Sequence, residues 1–573
     1  MALENKEEKL MLAQLMRALQ GFVFADGKAD IVETWALIKL VHSFSGRDED
    51  LEGFERLLVS IAEDGIVTAE ESRELAAAIA RLAKKYASAD AVYDARTLGL
   101  PRMGVLGVQH MFAMFGATIL VPILTGLSPS ATLLWAGLGT LLFHFLTKRM
   151  VPAFLGSSFA YLAGYFALTG LAGTPGHETL TKGVALQYAC LGVAASAVIY
   201  FVVSAFVKSC GVKRVMRFFP PVVTGPIIVG IGLVLSPVAV NSCMYGPFGN
   251  MNNPVNEIAG LLAAAGGCTA SCWCVALAGI LTVIVASVFG RGMLKIIPIL
   301  CGVVVSYLVA FLCGNVFGWG LKIDYSTVAA ADWIGLPIQW GNTVFPLFSD
   351  LDSGLMISSF AIIIPLAFAT IMEHVGDISA ISSTVHRNYF ESPGLHRTML
   401  GDGLATCLAS LFGAPANTTY GENTGVLSLS KVYDPRVIRI AACLAILVSF
   451  CPKFSAFIGT IPAPTIGGVS FVLYGMISAV GVRNLVESQV DLSKSRNMLI
   501  AAIILVLTLG ISFSKAGAIK FAVGGVNFAL SGLAVGALTG IILNALLPGK
   551  DFDFSETAPS IKDADRFGGK KPE

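Results

Sequence analysis

Charged residues are scarce in this sequence. Of its 573 residues, 13% are Asp, Glu, Lys or Arg, whereas a soluble domain carries about 25%. Hydrophobic residues make up 55%, and the mean hydropathy is +0.74. These values exclude an ordinary soluble enzyme and a disordered protein. The formal net charge of +1 also excludes the basic surface of a nucleic-acid-binding protein.

Catalytic and metal-binding motifs are absent from the sequence as well. It contains no nucleophile elbow, P-loop or zinc-binding pattern. Most of its 11 cysteines are scattered through apolar runs, where they pack as small apolar side chains. Cys268, Cys272 and Cys274 are close together but have no His or carboxylate beside them. We therefore expect no enzymatic activity, no metal and no cofactor.

The charge that is present is concentrated near the N-terminus. Residues 1–100 hold 12 basic and 18 acidic residues, and their apolar positions recur at helical spacing. We predict an acidic helical domain over 1–96, on the cytoplasmic side. Two Asp-Gly turns, each followed by a capping-box pattern, make it faintly similar to TerB-like domains. Oxygen ligands at alternating positions are missing, so we expect no calcium site.

A long membrane region follows over 97–549, and 550–573 are predicted to be a cytoplasmic tail. No Asp, Glu, Lys or Arg occurs from 103 to 147, and similar stretches recur to residue 549. A helix needs about 20 apolar residues to cross a bilayer. The sequence predicts an α-helical polytopic membrane protein. Its roughly 14 segments begin near residues 105, 130, 152, 184, 218, 272, 295, 355, 400, 422, 438, 461, 497 and 522.

The basic residues indicate the orientation of these segments. We number the loops between consecutive segments in chain order. Sixteen basic residues, among them Lys208, Arg214 and Arg217, fall in the even-numbered loops, and five fall in the odd-numbered loops. Cytoplasmic loops carry the excess of Lys and Arg. We therefore expect a multi-pass protein of the cytoplasmic membrane with both termini in the cytoplasm.

Two predicted segments are interrupted by Pro, Gly and hydroxyl residues at membrane depth. They are the third, over 151–161, and the tenth, over 413–425. Broken backbone is tolerated there only where it lines a cavity or is buried in protein, and matched breaks indicate a transporter site. The fifth and twelfth segments share a Pro-Pro or Pro-x-Pro start. In both pairs the matched segments are seven apart, which indicates a repeat of seven segments. Because seven is an odd number, the second copy must be inverted in the membrane, and the sequence predicts a 7+7 inverted repeat.

Few ionisable residues lie within the spans, and such residues are usually functional. They are His110, Glu373, His374, Asp377 and Glu422. Glu373 and Asp377 are four residues apart, on one helical face, so they resist being ionised together. By contrast, Asp402 precedes Gly403 at a predicted segment start, where a helix-end carboxylate is expected at least as readily as a functional one.

Several motifs resemble the nucleobase–ascorbate transporter family, also called nucleobase:cation symporter-2, and within it the bacterial uracil-transporting members. They run in order from about 100 to 545. The stretches are Gln109–Thr118, Pro152–Ala160, Glu373–Gly376, Pro393–Arg397, Asn417–Val426 and Gly467–Gly475. The resemblance implies a proton-coupled uracil permease, a homodimer, and core and gate domains with short strands in segments 3 and 10.

The resemblance also implies roles for individual residues. Substrate binding falls to two glutamates, two backbone N–H groups and the side chains around them: Glu373, Glu422, Phe159, Gly421, Ser158, Tyr420, Tyr474 and Gln109. Proton coupling falls to Glu373, Asp377, His110 and Asn423. The partners expected are uracil or a related nucleobase, the proton and the lipid bilayer, without nucleic acid.

One departure leaves the substrate open. The proton-coupled uracil carriers of the family have His four residues after the first glutamate, where this chain has Asp377. Xanthine and urate carriers resemble the chain there, but they carry Gln at the position of Glu422. Uracil is the main hypothesis, and xanthine or a broader range of bases is the alternative. A channel or anion exchanger, and a membrane sensor with 1–96 as its output, are further alternatives.

Overall fold

The structure is a computed structural model. It describes residues 91–172, 177–248, 255–291, 293–523 and 526–549, together with helix α1 (Glu49–Ala62) and a few single residues before residue 91. Helix α1 buries Phe54, Leu58 and Ile61, three positions of a predicted apolar face. The two Asp-Gly turns and the tail over 550–573 lie outside the described residues, and the TerB-like domain stays a prediction.

Among the described residues, those of 95–430 and 434–549 form one compact unit, and those of 1–94 with Lys431–Tyr433 form another. Helices make up most of the first unit's N-terminal half. They are α2 (Leu100–Thr125), α3 (Pro129–Leu146), α4 (Leu162–Thr169), α5 (Lys182–Cys210), α6 (Pro221–Tyr245), α7 (Val255–Ala264), α8 (Thr269–Phe289) and α9 (Pro298–Phe311). Strand β1 (Leu155–Ser157) interrupts them before α4.

The C-terminal half of this unit has a similar make-up. Its helices are α10 (Ser353–Ile363), α11 (Ala367–Val385), α12 (Leu395–Leu411), α13 (Gly421–Ser430), α14 (Pro435–Ser449), α15 (Pro452–Gly459), α16 (Ala463–Glu487), α17 (Ser495–Ser512) and α18 (Gly532–Leu546). Strand β2 (Asn417–Thr419) precedes α13, and strands β3 (Ala518–Val523) and β4 (Val526–Ser531) precede α18.

Proline and capping residues set the starts of the apolar helices. Pro129, Pro221, Pro298 and Pro435 stand in first turns, where the missing N–H costs no intrahelical hydrogen bond. The Ser128 hydroxyl also accepts from the Ala131 N–H, which caps α3. The long apolar sequence is thus divided at defined points.

Nine helices in the described residues are long and apolar enough to cross a membrane, and ten if α14 and α15, bent by 87°, form one span. This confirms a mostly helical chain with many membrane-spanning helices. The predicted segments near 152 and 422 instead contain a strand and a short helix each. The count of 14 stays a prediction.

The segment predicted to begin near residue 522 differs from the structure. Strands β3 and β4 form an antiparallel hairpin there, and α18 begins only at Gly532. Aromatic and β-branched residues alternate in both strands around Gly524-Gly525, a pattern typical of a hairpin. Hydropathy alone missed it because both strands are apolar and uncharged except for Lys520.

Helix packing separates two groups of elements. In one, α5 packs along α12 and α3 along α14. In the other, α6 packs along α16, α8 along α9, and α17 along α18. Strands β1 and β2 lie among the helices of the first group, in contact with α3 and α12 respectively.

Candidate functional site

The two broken segments meet at a short pair of strands. β1 and β2 are antiparallel, with Leu155 opposite Thr419 and Ser157 opposite Asn417. The ladder continues at both ends, because the Ser158 N–H donates to the Ala416 carbonyl (2.8 Å) and the Tyr420 N–H to that of Phe154 (2.9 Å). Every residue of both strands is buried. Pairing therefore satisfies backbone groups that neither break could satisfy alone at membrane depth.

Threonines of the flanking helices fix the position of each strand. On α3, the Thr140 hydroxyl accepts from the Leu155 N–H at 2.9 Å. On α12, the Thr406 hydroxyl donates to the Asn417 carbonyl at 2.7 Å. The Asn417 side chain in turn donates to the Trp135 carbonyl at 2.9 Å. These bonds hold both strands to the helices that precede them.

A proline in α2 ties that helix to β1. Pro122 lies inside α2 and has no N–H for the carbonyl of Thr118, four residues earlier. The Ser157 hydroxyl donates to that carbonyl at 2.9 Å. It also lies 3.1 Å from the hydroxyl of Tyr420, which donates to the Ser157 carbonyl at 3.0 Å. Ser157, the last residue of β1, therefore anchors both α2 and Tyr420, the first residue after β2.

We expect Ser157→Ala to lower the free energy of unfolding by about 1–3 kcal/mol, since it leaves a buried carbonyl without a donor. The Pro122→Ala background supplies an N–H to the same carbonyl, so the cost of Ser157→Ala should shrink there. Thermal unfolding of the wild type, both single variants and the double variant in detergent measures this coupling. Additive effects would contradict the assignment.

Three of the predicted carboxylates converge where α13 begins. Glu373 and Asp377 lie one turn apart on α11, and Glu422 is the second residue of α13. The carboxylate of Asp377 interacts electrostatically with those of Glu373 and Glu422. A Cβ built on Gly421 would lie 3.6 Å from Asp377 Oδ1. The three acids therefore face one region, next to the N–H groups at the start of a helix.

Several polar groups around this region have no hydrogen-bond partner in the described part of the chain. They include the buried Oε2 of Glu373 and the buried hydroxyl of Ser158. The Phe159 and Gly421 N–H groups also donate to no other described residue. Buried polar groups normally have a partner. These four groups are the ones a polar ligand would meet.

The other predicted residues lie around the same region. The rings of Phe159 and Tyr474 meet edge to face with centroids 5.8 Å apart, and both are buried. The Asn423 side chain donates to the His110 carbonyl and lies 3.2 Å from His110 Nδ1. The structure thus brings α2 against α13. Gln109 is buried beside His110, and no hydrogen bond links its side chain to the other described residues.

Two residues near the strands were missed or misplaced by the sequence. Asp402, expected at a helix end, lies inside α12 and is fully buried, because that helix already begins at Leu395. His374, also fully buried, places Nδ1 3.1 Å from the Thr419 hydroxyl and 3.7 Å from Asp402 Oδ1. Pro393-Gly394, just ahead of the helix, was the signal for its earlier start.

Comparisons with known proteins agree with this architecture. The uracil permease of Bacillus caldolyticus is 41% identical over 445 residues, covering 78% of this chain and 92% of that protein. The Bacillus subtilis uracil permease is 37% identical, and the match covers 77% of this chain and 91% of that protein. The putative pyrimidine permease RutG of Escherichia coli is 36% identical, with 80% and 92% covered. These relatives are transporters, which confirms the prediction of a non-enzymatic protein.

Solved structures share the fold at low identity. The transmembrane domain of a cyanobacterial bicarbonate transporter, BicA, matches with a TM-score of 0.50 at 17% identity, covering 72% of this chain and 97% of that domain. SLC26A9 matches with a TM-score of 0.53 at 13% identity, and the match covers 79% of this chain and 66% of SLC26A9. At these identities, the likeness concerns the fold alone.

A family profile described as a permease family matches residues 102–517. The match covers most of the chain and includes both broken segments, the three carboxylates and Tyr474. The many apolar helices agree with a multi-pass membrane protein. The resemblance drawn from the motifs is thereby confirmed, and the chain belongs to this permease family of nucleobase–ascorbate transporters.

Proposed function

We propose that the protein imports uracil across the cytoplasmic membrane and is driven by the proton gradient. The observation that carries the proposal is the convergence of Glu373, Asp377 and Glu422 at the start of α13, beside the β1–β2 pair. Relatives named uracil permease, 37–41% identical over most of the chain, support the choice of substrate.

The unpartnered groups suit the chemistry of a pyrimidine ring. Uracil presents ring N–H donors and carbonyl acceptors in one plane. The carboxylates of Glu373 and Glu422 accept hydrogen bonds, and the N–H groups of Phe159 and Gly421 donate them. Because Gly421 begins α13, its N–H group also favours negative charge on a ring oxygen. Phe159 and Tyr474 supply aromatic surface, and Tyr420 holds the strands together.

Proton coupling follows from the three acids. Carboxylates that interact in a buried region do not all ionise together, so the site takes up a proton on one side of the membrane and releases it on the other during each cycle. A Cβ built on Gly421 would lie 3.6 Å from Asp377 Oδ1, so Asp377 lies beside the start of α13. We assign it the relay role, with Glu373 as the acid shared between ring and proton, and His110 with Asn423 as the pair that positions α13.

A 7+7 inverted repeat of 14 segments is supported by equivalent features in the two halves. Thr140 and Thr406 each stand on the helix before a broken segment, and each binds the backbone of the strand that follows. The antiparallel pairing of β1 with β2 agrees with oppositely oriented copies. The two packing groups correspond to a core and a gate, which touch where Phe159 meets Tyr474.

The distribution of basic residues supports an inner-membrane orientation with cytoplasmic termini. Under that orientation, 1–96 and 550–573 lie in the cytoplasm. The homodimer is carried over from the family resemblance. The length of both predicted repeats leaves 1–96 outside the transport machinery.

A second candidate substrate is xanthine, because Asp377 matches the purine carriers at its position. Equilibrium binding of both bases to the purified protein, at pH 6 and pH 8, separates the candidates. We expect uracil to bind without competition from xanthine. Binding should be tighter at pH 6, by at most about tenfold per pH unit for one linked proton. Binding of xanthine alone, or tighter binding at pH 8, would contradict the proposal.

A further inference from the structure

A cavity of about 660 Å³ lies at the end of α5, away from the carboxylates. Its charged lining consists of Lys208, Arg214, Arg217 and Glu391, and the ring of His396 lies beside them. Lys208, Arg214 and Arg217 are exposed and form no ion pair with any described carboxylate. The cavity, here called the basic pocket, therefore carries a net positive charge that the described chain leaves unmatched.

More positive charge surrounds this pocket. His396 interacts electrostatically with Arg397 of α12, with Lys208 of α5 and with Lys148, which follows α3. Arg397 also donates to the Leu146 carbonyl at 3.2 Å, which holds its guanidinium near the end of α3. Like charges gathered this way repel one another, and an anion between them relieves that repulsion.

Part of the lining of the basic pocket is apolar. Val207, Val212 and Phe390 line it, with Val207 buried and the other two half-buried. Next to them along the chain, Phe206 and Phe218 are 57% and 47% exposed, at the end of α5 and just before α6. Exposed aromatic rings at the ends of membrane helices are typical of the lipid–water interface. The pocket thus combines cationic and apolar surface at the end of a membrane helix.

We propose that the basic pocket binds the phosphate of an anionic phospholipid of the inner leaflet. Basic pockets between membrane helices on the cytoplasmic side suit such head groups. Lys208, Arg214 and Arg217 would contact the phosphate, while Val207, Val212 and Phe390 would contact the upper part of an acyl chain. The assignment to the inner leaflet rests on the orientation proposed above, whereas the phosphate chemistry does not.

The pocket also lies where a bound lipid could influence transport. It is formed by the connection from α5 to α6 and by the segment before α12. α5 and α12 belong to one packing group and α6 to the other. The Asn544 side chain of α18 donates to the Arg217 carbonyl at 2.8 Å, which fixes the second group to this connection. A lipid held here would contact the link between the two groups.

Titration of the purified full-length protein in detergent tests the proposal, with phosphatidylglycerol and phosphatidylcholine compared by native mass spectrometry and thermal unfolding. We expect phosphatidylglycerol to bind to the protein and to raise its unfolding temperature more than phosphatidylcholine does. Arg214→Gln with Arg217→Gln should weaken that binding about 30-fold, equivalent to about 2 kcal/mol. Lys208→Gln is the milder variant if the double variant does not fold.

The matched control removes two exposed basic residues from another even-numbered loop, Arg291→Gln with Lys295→Gln. Equal losses in the control and the pocket variant, or no loss in either, would overturn the pocket assignment. Glycerol 1-phosphate serves as the soluble phosphate. If it stabilises the lipid-free protein as strongly as phosphatidylglycerol, the ligand is a soluble phosphate and the lipid assignment fails. Uracil binding, measured in parallel, reports independently on the proposed function.

Discussion

Glu422→Gln should weaken uracil binding by about 100-fold or more. The substitution keeps the size of the side chain and replaces a charged acceptor with an amide. Each hydrogen bond to a charged group contributes about 1.5–3 kcal/mol, and a site built around such a bond also discriminates strongly against its loss. Glu422 stands at the start of α13, beside the free N–H of Gly421. A misplaced amide N–H₂ would face the ring N–H as a second donor.

The measurement is equilibrium binding of uracil to the purified variant, with Glu257→Gln as the control. Glu257 is exposed on α7, so the same chemical change there should leave uracil affinity unaltered. Thermal unfolding of both variants shows whether they are folded. An unchanged affinity in folded Glu422→Gln would remove this residue from the binding site. A gain of xanthine binding would instead mean that the residue selects between the two bases.

The breaks in the membrane segments could be found from the sequence because they violate a strong rule. Pro, Gly and hydroxyl residues at 151–161 and 413–425 have no place in a lipid-facing helix, so they indicate buried, paired backbone. The register, Gly156 opposite Thr418, could not be predicted, since three-residue strands show no hydropathy period. The hydrogen bond from the Ser157 hydroxyl to the Thr118 carbonyl could not be predicted either, because it depends on where α2 crosses β1.

The sequence points to individual carboxylates of the candidate site where charge breaks a hydrophobic run. Glu373, Asp377 and Glu422 stand out in apolar sequence, and the structure brings them together. For Asp402 the sequence left a helix-end and a functional carboxylate both open, because the helix start was placed too late to show that the residue lies inside α12 and is buried. His374 has no assigned role in the motif-based reasoning, and its contact with Thr419 arises only from packing between α11 and β2.

The same reasoning explains why the hairpin was missed. Residues 518–531 are as apolar as a membrane helix, and hydropathy does not distinguish the two. Alternation of aromatic and β-branched residues around two glycines does distinguish them, as the pairing of Phe521 with Phe528 illustrates. Reading period and hydropathy together would have moved the start of the last helix to Gly532.

Asp377→Asn should abolish proton-driven accumulation of uracil, lowering it more than about tenfold, while leaving uracil exchange in place. The amide is isosteric and neutral, so it mimics the protonated acid permanently. It removes one of three interacting charges and with it a proton that must be released on each cycle. Because ring binding is assigned to Glu373 and Glu422, binding itself should persist without the Asp377 carboxylate, and its dependence on pH should flatten between pH 6 and pH 8.

Proteoliposomes separate these two activities, since accumulation requires an imposed pH gradient and exchange of labelled uracil does not. The matched control is Asp350→Asn, an exposed aspartate outside the long apolar spans, which should change neither activity. If Asp377→Asn accumulates uracil normally, the relay belongs to Glu373 or Glu422 instead. If it loses exchange as well, Asp377 contacts the substrate, and the purine-like feature of this chain then acts in base selection. Both results would revise the roles assigned to the three acids, because Asp377 would then not act as a proton relay that is separate from substrate binding.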